Sequence, residues 1–73
     1  MEEKSQIIYM QTRLVRLAAE QWCKPYRDVV ELFKVKGVFG YIARMWELFH
    51  IEGDLAVLDD IQQYLNSKGV AYA

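Results

Sequence analysis

The sequence predicts an all-α fold: a compact four-helix domain with short connections, residues 1–73 forming one unit. Three observations predict it. Apolar residues recur three and four apart along most of the chain. No segment alternates with period two, the mark of a half-buried strand. Pro25, Gly37, Gly53 and Gly69 cut the chain into four stretches, each of helical length.

The first helix is expected from about Lys4 or Ser5 to Trp22. Ile7, Met10, Leu14, Leu17 and Ala18 form one row, and Ile8, Val15, Ala19 and Trp22 a second beside it. Together they cover an arc of roughly 200°, wider than the stripe of a simple surface helix. Arg13, Arg16 and Glu20 lie opposite, so the helix should be gripped from two sides. Pro25 ends the pattern, and its fixed φ and missing N–H suit the first turn of a new helix. That second helix is expected to reach about Lys36, with Tyr26, Val29, Val30, Leu32 and Phe33 inward. Asp28 at its start and Lys34 and Lys36 at its end complement the macrodipole. Gly37 fits a left-handed cap.

The third helix should begin between Val38 and Gly40 and end near Ile51. From Phe39 to Ile51 it is apolar around more than half its circumference, with Arg44, Glu47 and His50 marking a narrow wet side. Asp54 is expected as N-cap of the fourth helix, its carboxylate accepting from an unpaired N–H. Leu58, Ile61 and Leu65 give that helix its stripe, with Val57 and Tyr64 at the edge. Gly69 should end it. The tail from Val70 to Ala73 is too short to fold alone; it frays or lies against a groove.

Size and composition bound the function. A chain of 73 residues buries only about 60% of its unfolded surface, so helpers such as disulfides, metals or oligomers are common. One cysteine, Cys23, excludes an internal disulfide, and one histidine, His50, makes no metal cluster with it. Oligomerisation or partner binding is the helper that remains. The acidic start reads against a secretory leader. No stretch approaches the roughly 18 apolar residues that cross a bilayer. A lone thiol fits the reducing cytoplasm, which is the expected location.

The net charge of −1 argues against a general polyanion binder. Its distribution is uneven. Residues 13–44 carry seven basic side chains against three acidic, a net of +4; residues 45–73 carry one against five, a net of −4.

Candidate chemistry is thin. Cys23 as nucleophile with His50 as base lacks any surrounding motif, and a structural thiol at a helix end is the simpler reading. Asp59 and Asp60 point about 100° apart on a helix, so they do not share a cation or a proton. Gly37 and Gly40 lack the rest of a phosphate loop. No catalytic residue, cofactor or metal is expected, and the chain reads as a non-enzyme. The second and third helices have the lengths of a helix-turn-helix, and Arg13, Arg16, Lys34 and Lys36 on one face would suit a nucleic-acid-binding regulator. The third helix, however, offers base edges little besides Arg44. Ten aromatics are many for this length. Tyr and Trp are enriched in binding hot spots, which makes Trp22, Tyr41, Trp46 and Tyr72 the expected interface residues.

The stretches Leu-Phe-Lys before Gly37, Tyr41-Ile42, Trp46-Glu-Leu-Phe-His50 and Asp60-Ile61 with Tyr64 resemble a family of short bacterial proteins known only as a domain of unknown function. Phe49, standing between Leu48 and His50, departs from its pattern. The resemblance covers about the last 45 residues, and the first helix by its apolar rows alone. Members are often encoded beside an ADP-ribosyltransferase-like protein in a toxin–antitoxin-like arrangement. The resemblance therefore implies a partner-binding or neutralising role and no catalytic residues. The sequence reading is a non-enzymatic protein-interaction module that self-associates into a homo-oligomer or binds a neighbouring-gene protein.

Overall fold

Helix one forms because eighteen residues from Lys4 to Gln21 contain neither Gly nor Pro. In the computed structural model, which describes residues 3–70, it is α1, Glu3–Trp22. At 1.5 Å per residue it is about 30 Å long, nearly the 33 Å of the molecule's longest axis. The other elements are α2 (Tyr26–Val35), α3 (Val38–Arg44), a single turn α4 (Trp46–Phe49) and α5 (Asp54–Ser67). There is no strand among the described residues. The all-α prediction holds, with four helices of seven or more residues and short connections. The radius of gyration, 11.4 Å, matches the ~11 Å expected of a compact chain this long.

α1 packs against α2, α3 and α5. Met10, Leu14, Val15, Ala18 and Trp22 are buried from it, and Leu17 and Ala19 lie partly buried beside them. The expected grip from two sides is present over this stretch. It fails at the first two turns, where Ile8 is 53% and Tyr9 63% exposed. These turns project past the core because the shorter helices end before reaching them.

α1 stops without a glycine. Cys23 takes the left-handed position (φ 53°), and the Lys24 N–H donates to the Ala19 carbonyl at 3.0 Å. This is the 6→1 bond of a Schellman cap, whose left-handed residue is usually Gly. α5 ends the same way with the usual residue. Gly69 has φ 85°, and the Val70 N–H donates to Leu65 O at 2.9 Å. Val70 packs against the core, so residue 70 continues the fold; the rest of the expected tail, residues 71–73, lies outside the described residues.

Pro25 is the N-cap of α2, and its carbonyl accepts from the Asp28 and Val29 N–H groups. Val29 and Phe33 are buried and Val30 and Leu32 partly so. Tyr26, expected inward, is half exposed, because at the first turn no neighbouring helix covers it. Gly37 (φ 73°) closes α2 and opens α3, its carbonyl accepting from the Tyr41 N–H.

The third predicted helix is two elements. The chain breaks at Met45 (φ −97°, ψ 12°), although no Gly or Pro is near. A tertiary contact accounts for the break. The rings of Tyr41 and Phe49 meet edge-on at 5.7 Å. In a straight helix residues eight apart are about 12 Å apart along the axis. The bend folds Phe49 back onto Tyr41, where it is fully buried.

Asp54 is not the N-cap of α5; Gly53 is, with no side-chain cap. Asp54 stands one residue inside, and its carboxylate accepts two bonds from Arg13 of α1, Nη2 at 2.7 Å and Nε at 3.1 Å. Still in the first turn, it retains its favourable place against the helix dipole.

Phe33 links the layers, meeting Trp22 edge-on at 6.3 Å and Phe39 at 5.6 Å. With Ile42, Phe49, Ile61 and Leu65 it fills a core that contains no buried polar side chain among the described residues. The accessible surface, 4774 Å², is close to the ~4,700 Å² of an ordinary monomer of 8.6 kDa. The fold therefore closes its core without help from another chain.

Candidate interaction surface

The four residues expected at an interface separate on folding. Trp22 is only 8% exposed; its ring abuts Phe33, and it lines a groove between α1 and α5. Tyr41 is half-buried, stacked on Tyr64 with centroids 4.2 Å apart and edge-on to Phe49. Burial raises its pKa above the ordinary 10, and Asp60 and Tyr64 add to the rise. Trp46 is half-buried and stacks on His50 at 4.9 Å. Tyr72 lies outside the described residues.

Cys23 and His50 do not form a site. Cys23 is exposed, held at a helix end by the cap just described. His50 faces Trp46, and no hydrogen bond joins it to Cys23 among the described residues. Among those residues no three His, Cys, Asp or Glu side chains gather as a metal ion would need. No helix among the described residues is long and apolar enough to cross a membrane.

The apolar surface left in water lies elsewhere. Leu48 is 46%, Ile51 72% and Leu55 64% exposed, three large aliphatic side chains within eight residues. They mark the corner where α4 turns into α5. Leu48 and Ile51 share one turn, the Ile51 N–H donating to Leu48 O at 3.3 Å. Leu55 continues into a groove of about 270 Å³ between α1 and α5, lined also by Gln21, Trp22, Leu58, Asp59 and Gln62. Asp54, directly before Leu55, draws α1 to this corner through Arg13. The Arg13 guanidinium also lies 5.1 Å from the Tyr9 ring centroid, which brings exposed Tyr9 to the same side. The hydrogen bond from Asp54 raises the pKa of Arg13, with burial opposing. The groove is slightly below the ~300–1,000 Å³ of small-molecule clefts.

The sequence held a signal for this corner. Ile51 follows Arg44 by seven residues and Glu47 by four, the spacing of one helix face. It therefore stands on the wet side, where an isoleucine is out of place unless something covers it. The breadth of the apolar run concealed that position.

The family comparison agrees with the fold's extent. A family model described as a protein of unknown function (DUF3791) matches residues 9–68, and the chain belongs to that family. The match takes in α1 from residue 9 onward as well as the later helices. Neither a curated protein nor a solved structure matches the chain.

Proposed function

We propose that this chain, whose DUF3791 membership assigns no activity, is a non-enzymatic protein-interaction module that docks another chain on the α4–α5 corner. One observation carries the reading: Ile51 and Leu55 stand mostly in water beside a core that is already closed. Scattered exposed apolar residues are ordinary, whereas grouped ones mark interaction sites. The docked chain is either a second copy, giving a homo-oligomer, or a different protein. The ADP-ribosyltransferase-like partner implied by the family resemblance is the special case in which docking neutralises a toxin. The reading places the module in the cytoplasm, where a free thiol such as Cys23 persists. The nucleic-acid alternative finds less support. α3 turns Gly40, Ala43 and Arg44 to solvent, which gives a recognition helix one polar side chain, and Arg13 is bound to Asp54.

The test compares the wild-type chain with an I51S/L55S double variant. Sedimentation over a wide concentration range measures self-association, and tagged chains expressed in the native cell capture partners whose complex mass is measured. A defined complex that forms with wild type and is lost with the variant is expected. A chain that stays monomeric and retains nothing beyond what the variant retains refutes the proposal.

A further inference from the structure

We infer that the occupant of the α4–α5 corner is a basic segment with an apolar face, on a different protein rather than a second copy of this chain. The inference rests on the docking reading above and adds the partner's chemistry. Residues 45–67 contain five carboxylates, Glu47, Glu52, Asp54, Asp59 and Asp60, and no lysine or arginine. Asp54 is already neutralised by Arg13 at 2.7 Å. Of the other four, three stand beside the exposed aliphatic residues in the chain or along the groove. Glu47 precedes Leu48 and Glu52 follows Ile51 in the chain, and Asp59 lines the same groove as Leu55. Apolar centres with a charged rim select partners of opposite rim charge, and like-charge juxtaposition suppresses the wrong ones.

The same rim disfavours a symmetric dimer. A two-fold interface puts the same patch on both sides. Through this corner it would set Glu47, Glu52 and Asp59 of one copy against those of the other. Val35, at the end of α2, shares its depression with Asp28 and Glu31, so it offers the corner no complement. Tyr26 does sit between Lys24 and Arg27. A contact using it would be head-to-tail and open-ended, and would match one exposed ring to three aliphatic side chains. A basic amphipathic helix of another protein satisfies both the apolar centre and the rim in one element.

The test uses two synthetic helices of about 18 residues, five turns, each with Leu along one face. One carries Lys and Arg on its polar face and the other Glu. Binding to the full chain is read by backbone amide shifts and fluorescence anisotropy across a salt series. The basic helix should bind with shifts centred on residues 48–59. Its affinity should fall at least tenfold with I51S/L55S, and should weaken both with salt and with E47Q/E52Q/D59N. The acidic helix should not bind. Equal binding of both helices at the corner overturns the charge inference and leaves the docking reading intact. So does a wild-type dimer, or a polymer of growing mass, that I51S/L55S dissolves. Basic-helix binding unaffected by either set of substitutions also overturns it. Absence of binding by both helices overturns the inference, and the docking reading falls with it only where the chain is also monomeric and captures nothing beyond what I51S/L55S captures.

Discussion

Replacing Ile51 and Leu55 together by serine should leave the fold almost intact, and that outcome separates a docking surface from a structural one. Fully burying an aliphatic side chain stabilises a protein by about 1.5–3 kcal/mol. Ile51 keeps 72% of its surface in water and Leu55 64%. Each therefore withdraws only about a third of its surface, and its contribution is roughly 0.5–1 kcal/mol. The double variant should lose about 1–2 kcal/mol at most, with no cavity term because neither side chain lies in the core. Phe49, two residues before Ile51, provides the contrast. It is fully buried and its ring lies 5.7 Å from Tyr41. Truncating such a residue costs about 3–5 kcal/mol. A chain of this length has about 4–11 kcal/mol to lose. Phe49→Ala should thus come close to unfolding the protein, while the double serine variant shifts the urea midpoint slightly at unchanged slope. A double variant that loses more than about 3 kcal/mol would mean the corner supports the fold. The case for an interaction surface would then fail.

Other substitutions probe the helix ends and the aromatic cluster. Cys23→Gly should stabilise the chain by about 0.5–1 kcal/mol, because it removes a Cβ from a left-handed residue (φ 53°) at the entropic cost of a glycine; a raised melting temperature checks it. Gly37→Ala should destabilise by about 1–2 kcal/mol through its φ of 73° alone, since the added Cβ would meet only the Tyr64 hydroxyl at an ordinary 3.6 Å; a loss below the error of denaturant titration would contradict it. Arg13→Ala should cost less than about 1 kcal/mol despite its two-pronged bond, because both side chains are more than a third exposed. Tyr41 gives the pH dependence. Its folded pKa is raised, so the stability it lends is fully present below about pH 10 and is lost as pH rises through the raised value. Tyr41→Phe keeps the ring contacts and should flatten that alkaline loss while leaving neutral-pH stability nearly unchanged, as urea midpoints measured across the range would report.

Features that depend on local chemistry were legible in the sequence. Pro25, Gly37 and Gly69 act within one turn of themselves, and each stands where a helix begins or ends. The stripe of Leu58, Ile61 and Leu65 is buried as its spacing requires. Features settled by contacts between helices were not legible. Nothing around Met45 marks a break, because its cause is a ring contact between Tyr41 and Phe49 that only the folded chain makes. Asp54 reads as an N-cap from its neighbours, but Arg13, 41 residues earlier, takes its carboxylate. Trp22 reads as an exposed anchor from its type, yet it packs edge-on against Phe33 of α2 and keeps only 8% of its surface in water.

The apolar run from Phe39 to Ile51 shows why the exposed apolar residues within it were not legible in the sequence. A helix wheel says how wide an arc is apolar but not which part of it finds a neighbour. Read as one straight helix, the run put its surplus on the Tyr41–Trp46 flank. Bending at Met45 changes the assignment: Tyr41 meets Tyr64 and Phe49, Trp46 meets His50, and the uncovered part moves to Leu48 and Ile51. α4 has only four residues, too few to shield its own outer side. α5 begins on the far side of Gly53 with Leu55 exposed as well. The surplus is therefore a consequence of the turn and not of helix width. Because that turn falls in the stretch without lysine or arginine, the same residues that expose the apolar corner also give it a negative rim.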